Sequence, residues 1–233
     1  MIRLHMVVEG QTEEAFVNQL LVEHLSACRV FADARRVEVS RDPRLRRVYR
    51  GGLFDYARAR RDLVRWMKQD DHPEVHFTTM FDLYALPENF PAYEEARLTG
   101  DPYHRIAVLE EALGSDIRHP RFIPYIQLHE FEALIFSDPS KLSDVFIGRE
   151  KAIGELRRTA EAYGCPELID DGESTAPSKR IIREIPEYEA LKASAGPLVA
   201  RAVGLCTLRA KCPHFAEWLG KLERLAGAGQ SGA

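Results

Sequence analysis

The chain has 233 residues, 45% of them hydrophobic, and its 36 acids against 32 bases give a formal charge of −4. Ordinary proline and glycine usage excludes a collagen-like or wholly disordered chain, and no apolar run approaches the ~20 residues that cross a bilayer. Four scattered cysteines, Cys28, Cys165, Cys206 and Cys212, make no disulfide framework. The expectation is therefore a soluble protein of the reducing cytoplasm, without membrane contact.

The opening run Leu4-His5-Met6-Val7-Val8 is apolar and short, and predicts a buried strand rather than a signal peptide. It ends at Glu9-Gly10-Gln11-Thr12. Thr12 is the expected N-cap of a helix whose first turn holds Glu13 and Glu14, where carboxylates complement the helix dipole. Arg36 to Ser40 alternates like a second strand, and Leu53 to Lys68 predicts a helix burying Leu53, Ala57, Val64 and Met67. Val75 to Phe81 predicts a third strand ending at Asp82, followed by a helix near Arg105 to Leu113. Phe122 to Leu128 is a fourth strand, in which Pro124 marks an edge or a bulge. From Pro139 the pattern turns helical: 141–146, 150–163, 179–185, 198–203 and 215–225. Strands alternating with helices predict an α/β fold with a mostly parallel sheet over residues 1–138 and a helical C-terminal part, 139–233, packed on it.

The mild overall acidity hides a local field. Residues 35 to 65 contain eleven arginines, no lysine and four acids, a local net of +7 that leaves −11 for the remainder. Arginine forks suit phosphate oxygens. On the predicted helix Arg58, Arg61 and Arg65 share a face, and with Arg47 they are the candidate phosphate contacts to a nucleic acid.

Functional groups of open α/β sheets gather at the carboxyl ends of strands. Glu9, Asp82 and the pair Glu130 and Glu132 stand there, an oxygen-rich set suited to Mg²⁺ or Mn²⁺. The segment His129-Glu130-Phe131-Glu132-Ala133-Leu134-Ile135 lacks an HExxH zinc motif. As a strand continuation Glu130 and Glu132 would share one face; the apolar spacing favours a helix, which sets them about 200° apart on opposite flanks, with His129 near Glu132. Glu130 is preferred as the site carboxylate, with Glu13, His129 and Glu132 as secondary candidates. Ser178-Lys179-Arg180 predicts a helix N-terminus capped by Ser178, where Lys179 and Arg180 are candidate phosphate ligands. Cys206, Cys212 and His214 have poor zinc spacing. His5, His72 and His76 show no evident catalytic partner and are expected to be solvated or packing residues.

Met6-Val7-Val8-Glu9-Gly10-Gln11-Thr12-Glu13 resembles the opening motif of Toprim domains, and Phe81-Asp82-Leu83-Tyr84 occupies the place of their Asp-x-Asp motif. More narrowly, the chain resembles the Toprim-like DUF4276 family. The matching segments are VEGQTE, the run from Tyr125 to Leu134, Ala176-Pro177-Ser178-Lys179-Arg180, and Cys212-Pro213-His214-Phe215 with Trp218. The resemblance implies Mg²⁺-dependent cutting or joining of phosphodiesters. Glu9 then matches the family's acid/base glutamate, and Asp82 its first metal-binding aspartate. Tyr84 stands where the second aspartate is expected, and Glu130 is the candidate replacement. The resemblance further implies a role in bacterial phage-defence or mobile-element loci beside a partner ATPase. The expectation is a metal-dependent nuclease whose metal ligands are Glu9, Asp82 and Glu130 and whose catalytic groups are Glu9 and Glu130. Two alternatives are a non-catalytic nucleic-acid-binding or adaptor subunit, and a phosphoryl or nucleotidyl transferase.

Overall fold

The computed structural model describes residues 1–37, 55–169, 172 and 175–228. Arg47 and most of the expected strand at 36–40 lie outside the described residues. The described chain forms a parallel sheet of β1 (Ile2–Val8), β2 (Val30–Arg36), β3 (Val75–Asp82), β4 (Phe122–Ile123) and β5 (Ile126–Gln127). The order is β2-β1-β3-β4, with β5 also pairing with β3. The second strand therefore lies at 30–36, upstream of the position that alternation alone suggested.

Alternation along the central strands assigns the two faces. Leu4, Met6, Val8 and Met80 enter one core, while Val7, Phe77 and Phe81 enter the other. Burial on both faces is the usual condition of a parallel sheet. On the first face lie α1 (Gln11–Phe16), a π-helical turn (Val17–Leu21) and α2 (Val22–Ala27). Gly10, not Thr12, is the N-cap of α1, because Glu13 reaches back to accept from the Gly10 N–H at 2.8 Å.

The second face is covered by α3 (Tyr56–Gln69) and α5 (Pro102–Ile117), with α4 (Tyr93–Arg97) before the latter. Asp55 caps α3 by accepting from the Ala57 N–H. The helix buries Tyr56, Ala59, Leu63, Trp66 and Met67; of the expected stripe Met67 is buried, Ala57 is exposed, Val64 is only half-buried and Leu53 lies outside the described residues. His5 is a packing residue, as expected. Its ring bonds to Asp33 and Asp70 and packs 4.4 Å from the Trp66 ring.

The expected strand 122–128 is broken at Pro124 into β4 and β5. Side chains of β3 fill the gap in the ladder. Thr78 Oγ1 donates to the Ile123 carbonyl at 2.6 Å, and Thr79 Oγ1 accepts from the Tyr125 N–H at 3.0 Å. Trp218 Nε1 donates to Thr78 Oγ1, tying a C-terminal helix to the sheet.

The remaining elements are the 3₁₀ helices Leu83–Ala85, Phe131–Ser137, Pro139–Asp144 and Pro166–Leu168, and the helices α6 (Glu150–Tyr163), α7 (Pro177–Glu184), α8 (Tyr188–Val203), α9 (Leu205–Lys211), α10 (Pro213–Glu223) and α11 (Leu225–Ala228). Apolar side chains from α6 to α10 join Leu4, Met6, Val8 and Phe16 in a single core. α8 begins ten residues before the predicted 198–203 segment. Gly196 and Pro197 lower its apparent propensity, but tertiary packing overrides that. Gly196 is buried where a Cβ would stand 3.0 Å from Tyr188 Oη, 3.1 Å from Phe131 and 3.4 Å from Thr12.

Candidate carboxylate site

From β1 the chain runs through α1 and α2 to β2 on one side of the sheet, then through α3 back to β3 on the other. The carboxyl ends of β1 and β3 are therefore a topological switch point, where open α/β sheets bind ligands. Glu9 follows β1 and Asp82 closes β3 there. The two are joined directly: Glu9 accepts from the Asp82 N–H at 3.1 Å. The Tyr84 N–H donates to the His129 carbonyl, which fastens the exit of β3 to the segment leaving β5.

At His129 the backbone adopts a left-handed conformation, φ 59°, which is uncommon for a residue other than glycine. This reversal ends the extended chain and starts the 3₁₀ helix at Phe131. Glu130 is its extended N-cap and Glu132 lies in its first turn. In the tighter winding they do not diverge onto opposite flanks as a regular α-helix would place them. Both face Lys192 of α8, at 3.8 Å and 3.0 Å respectively. The His129 imidazole is buried beside them in sequence.

Glu9, Glu13, Asp82, Glu130 and Glu132 thus form one electrostatic unit around Lys192. Burial, then repulsion from Glu13 and Glu130, pushes the Glu9 carboxyl up to about 8. Burial dominates for Glu132, pushed up to about 7 with Glu130 and Glu13 adding, although Lys192 opposes the rise. Glu13 is raised by burial and by Glu130. Asp82 is raised well above the usual carboxylate range by burial, then Glu9, Glu13 and Glu132. Lys192 is held protonated by the acids around it, Glu132 foremost, against the cost of its burial.

The partners of the acids differ. Both Glu130 oxygens are engaged by Ser178, one by its N–H and one by its hydroxyl at 2.9 Å. Glu132 accepts from Tyr188 Oη at 3.0 Å. Asp82 Oδ1 is buried without a hydrogen-bond partner, a costly state for a polar atom. Hard oxygen donors with an unsatisfied member fit a hard cation that keeps most of its waters. Glu9, Glu13 and Asp82 show no hydrogen bond or ion pair to another side chain among the described residues, and Glu13 is already occupied by the Gly10 N–H. Among the described residues, no three of these five acids bring oxygens within 4.8 Å of one another.

Other sequence candidates fall elsewhere. Ala176, not Ser178, is the N-cap of α7, and the anion at that helix N-terminus is Glu130 itself. Arg180 donates to the Thr175 carbonyl and Tyr163 Oη and stacks on the Tyr163 ring, while Lys179 is exposed. Arg61 and Arg65 are exposed on α3 and Arg58 half-exposed, on the opposite side of the sheet from α7. Tyr84, in the place of the second aspartate, is 49% exposed.

Sequence reasoning passed over Lys192, Ser178 and Tyr188 as site residues. Lys192 carried a signal, being one of seven lysines and lying in helical register with Tyr188, Ala195 and Val199, which α8 buries. A lysine on an apolar stripe has to find a counter-charge.

No curated protein and no solved structure matches the chain. The family model described as "Domain of unknown function (DUF4276)" matches residues 8–223. That span runs from the end of β1 to the end of α10 and includes all five acids and Lys192, so the chain is a member of the DUF4276 family.

Proposed function

We propose that the chain is a Mg²⁺-dependent nuclease of Toprim type that hydrolyses phosphodiesters in bacterial phage defence or mobile-element biology. The observation that carries this reading is the meeting of Glu9 and Asp82 at the switch point, with Asp82 Oδ1 buried and unpartnered. Bound by Glu9 and Asp82, Mg²⁺ (or Mn²⁺) supplies charge neutralisation at the phosphate and activation of water.

This chain's residues do the rest. Burial and the neighbouring acids raise the Glu9 carboxyl in the metal-free protein, which makes it a better proton acceptor than an ordinary carboxylate. It takes a proton from the attacking water and returns it to the leaving oxygen as the P–O bond breaks. Lys192 fixes Glu130 and Glu132 on the floor of the site. Arg58, Arg61 and Arg65 hold the phosphate backbone with strong salt dependence.

The test is metal-dependent cleavage of single- and double-stranded DNA and RNA. Glu9→Gln and Asp82→Asn should each reduce the rate at least about 100-fold. Full activity in both variants removes these residues from the mechanism.

A second reading is a non-catalytic nucleic-acid-binding or adaptor subunit of an ATPase complex. Lys192 favours it, since that side chain already supplies a cation to Glu130 and Glu132. Calorimetric titration separates the two: one Mg²⁺ lost in Asp82→Asn belongs to the nuclease, and salt-sensitive binding of nucleic acid without Mg²⁺ uptake belongs to the adaptor.

A further inference from the structure

A second cluster of ligating groups lies at the opposite end of the sheet from the carboxylates. His24 and Cys28 stand one helical turn apart, His24 in the last turn of α2 and Cys28 as its C-cap. Cys28 precedes β2, whose first residue pairs with Ile2 at the amino end of β1. Glu223, the last residue of α10, meets them from the far end of the chain, and its Oε1 lies 2.6 Å from His24 Nε2. A ring nitrogen of His24, the Cys28 sulfur and a Glu223 oxygen all lie within 4.8 Å of one another. Among the described residues, they are the group of three His, Cys, Asp or Glu side chains that closes to this distance.

We infer that His24, Cys28 and Glu223 form a Zn²⁺ site clamping α2 to α10. Three physical arguments converge. The donor set is one nitrogen, one sulfur and one carboxylate oxygen, which suits zinc and disfavours magnesium. Tetrahedral zinc needs ligand atoms about 3.3–3.7 Å apart, so the 2.6 Å contact between His24 and Glu223 would open by about 1 Å, while the Cys28 sulfur already lies within 4.8 Å of both. Two helix C-termini also converge here, and their carbonyl dipoles favour a cation.

The protein already places positive charge at this point. Arg209 Nη1 contacts the same Glu223 oxygen at 2.5 Å from a side chain 39% exposed. It is free to swing into solvent when zinc takes the carboxylate. Zinc then exchanges the thiol proton of Cys28 for a metal–sulfur bond and leaves the fourth position to water.

The experiment uses the full chain stripped with chelator. Titrated Co²⁺ should give the near-ultraviolet thiolate charge-transfer band and the visible bands of a tetrahedral centre, both erased by one equivalent of Zn²⁺. Cys28→Ser should abolish the charge-transfer band and weaken Zn²⁺ binding at least about 100-fold against a chromophoric chelator, His24→Gln about tenfold or more. Arg209→Met should tighten binding by removing the competitor for Glu223. Zn²⁺ should protect Cys28 from alkylation while exposed Cys206 still reacts. Excess Mg²⁺ should displace nothing. A cobalt spectrum without a thiolate band, or Cys28→Ser binding Zn²⁺ like the parent, overturns the inference. Since the variants are compared metal-free by circular dichroism, loss of fold is separated from loss of a ligand. Cleavage activity is not the readout, so the outcome is independent of the nuclease reading.

Discussion

The Lys192 ammonium lies 3.0 Å from the carboxylate of Glu132, a side chain with no solvent exposure. Removing one partner of a fully buried pair costs about 3–5 kcal/mol. Lys192 is itself 36% exposed, so solvent screening brings the expectation for Lys192→Met down to about 2 kcal/mol. Glu132→Gln in the same chain should recover part of the loss, because the most closely paired of the acids around Lys192 is then neutral while Glu130 remains. Urea unfolding of both single variants and the double variant measures the coupling. Strict additivity would show that the pair does not interact.

Stability of the metal-free protein should fall as pH rises. Glu9 and Glu132 have folded-state values near 8 and 7 against an ordinary 4.5, and Glu13 and Asp82 are also raised. Raised acids bind more protons folded than unfolded, so their contribution is complete below about pH 4.5 and is lost as pH passes 7 and 8. His5 and His214, raised by carboxylate partners against burial, act in the same direction; His76 and His119, lowered chiefly by burial, oppose them. In chelator, the melting temperature should drop by about 5 °C between pH 5.5 and 8.5. Asp82→Asn should flatten the slope. A melting temperature that climbs over this range would sink the assignment.

Gly196→Ala should destabilise despite the better helix propensity of alanine. The new Cβ meets Tyr188 Oη and Phe131 at 3.0–3.1 Å. Neither can give way, since both are fully buried and Tyr188 is held by Glu132. The net expectation is a loss of about 1 kcal/mol, or roughly 2–4 °C, read by thermal unfolding. A gain in melting temperature would mean that α8 is not seated this closely.

Two helices are capped by glutamates from distant sequence. Glu130 receives the Ser178 N–H and hydroxyl at the start of α7. Glu167 receives the His214 and Phe215 N–H groups at the start of α10, together with Tyr103 Oη. Both helices open with proline, in the segments Ala-Pro-Ser and Cys-Pro-His. Glu130→Ala and Glu167→Ala should each cost about 2–3 kcal/mol. The loss should appear locally as faster hydrogen exchange at Ser178 or at His214 and Phe215. Unchanged exchange at those amides would refute tertiary capping.

The parallel sheet was legible because its central strands are short apolar runs that end abruptly in acids, as at Val8-Glu9 and Phe81-Asp82. Helix 150–163 was legible to the residue because its amphipathic stripe is uninterrupted. What escaped depends on non-local partners. β2 is half exposed, so its alternation carries little signal. The expected strand at 122–128 breaks because threonine hydroxyls of β3 replace its ladder bonds. Glu9 and Asp82 could be named from the rule about strand ends. The pairing of Glu130 with Ser178 could not, because a carboxylate that caps a helix nearly fifty residues away leaves no local pattern. Lys192 was visible as a charge on an apolar stripe, but its counter-ions were not.

The order in which these groups are synthesised has its own consequence. Glu9, Asp82, Glu130 and Glu132 all leave the ribosome before Lys192, which follows Glu132 by about sixty residues. Until α8 arrives, the nascent α/β layer carries a knot of negative charge with no ammonium to answer it. Either the cluster stays open and hydrated, or protons or free divalent ions close it for the interval. The strands can collapse early, but the last third of the translated chain decides when the ends of the sheet become rigid.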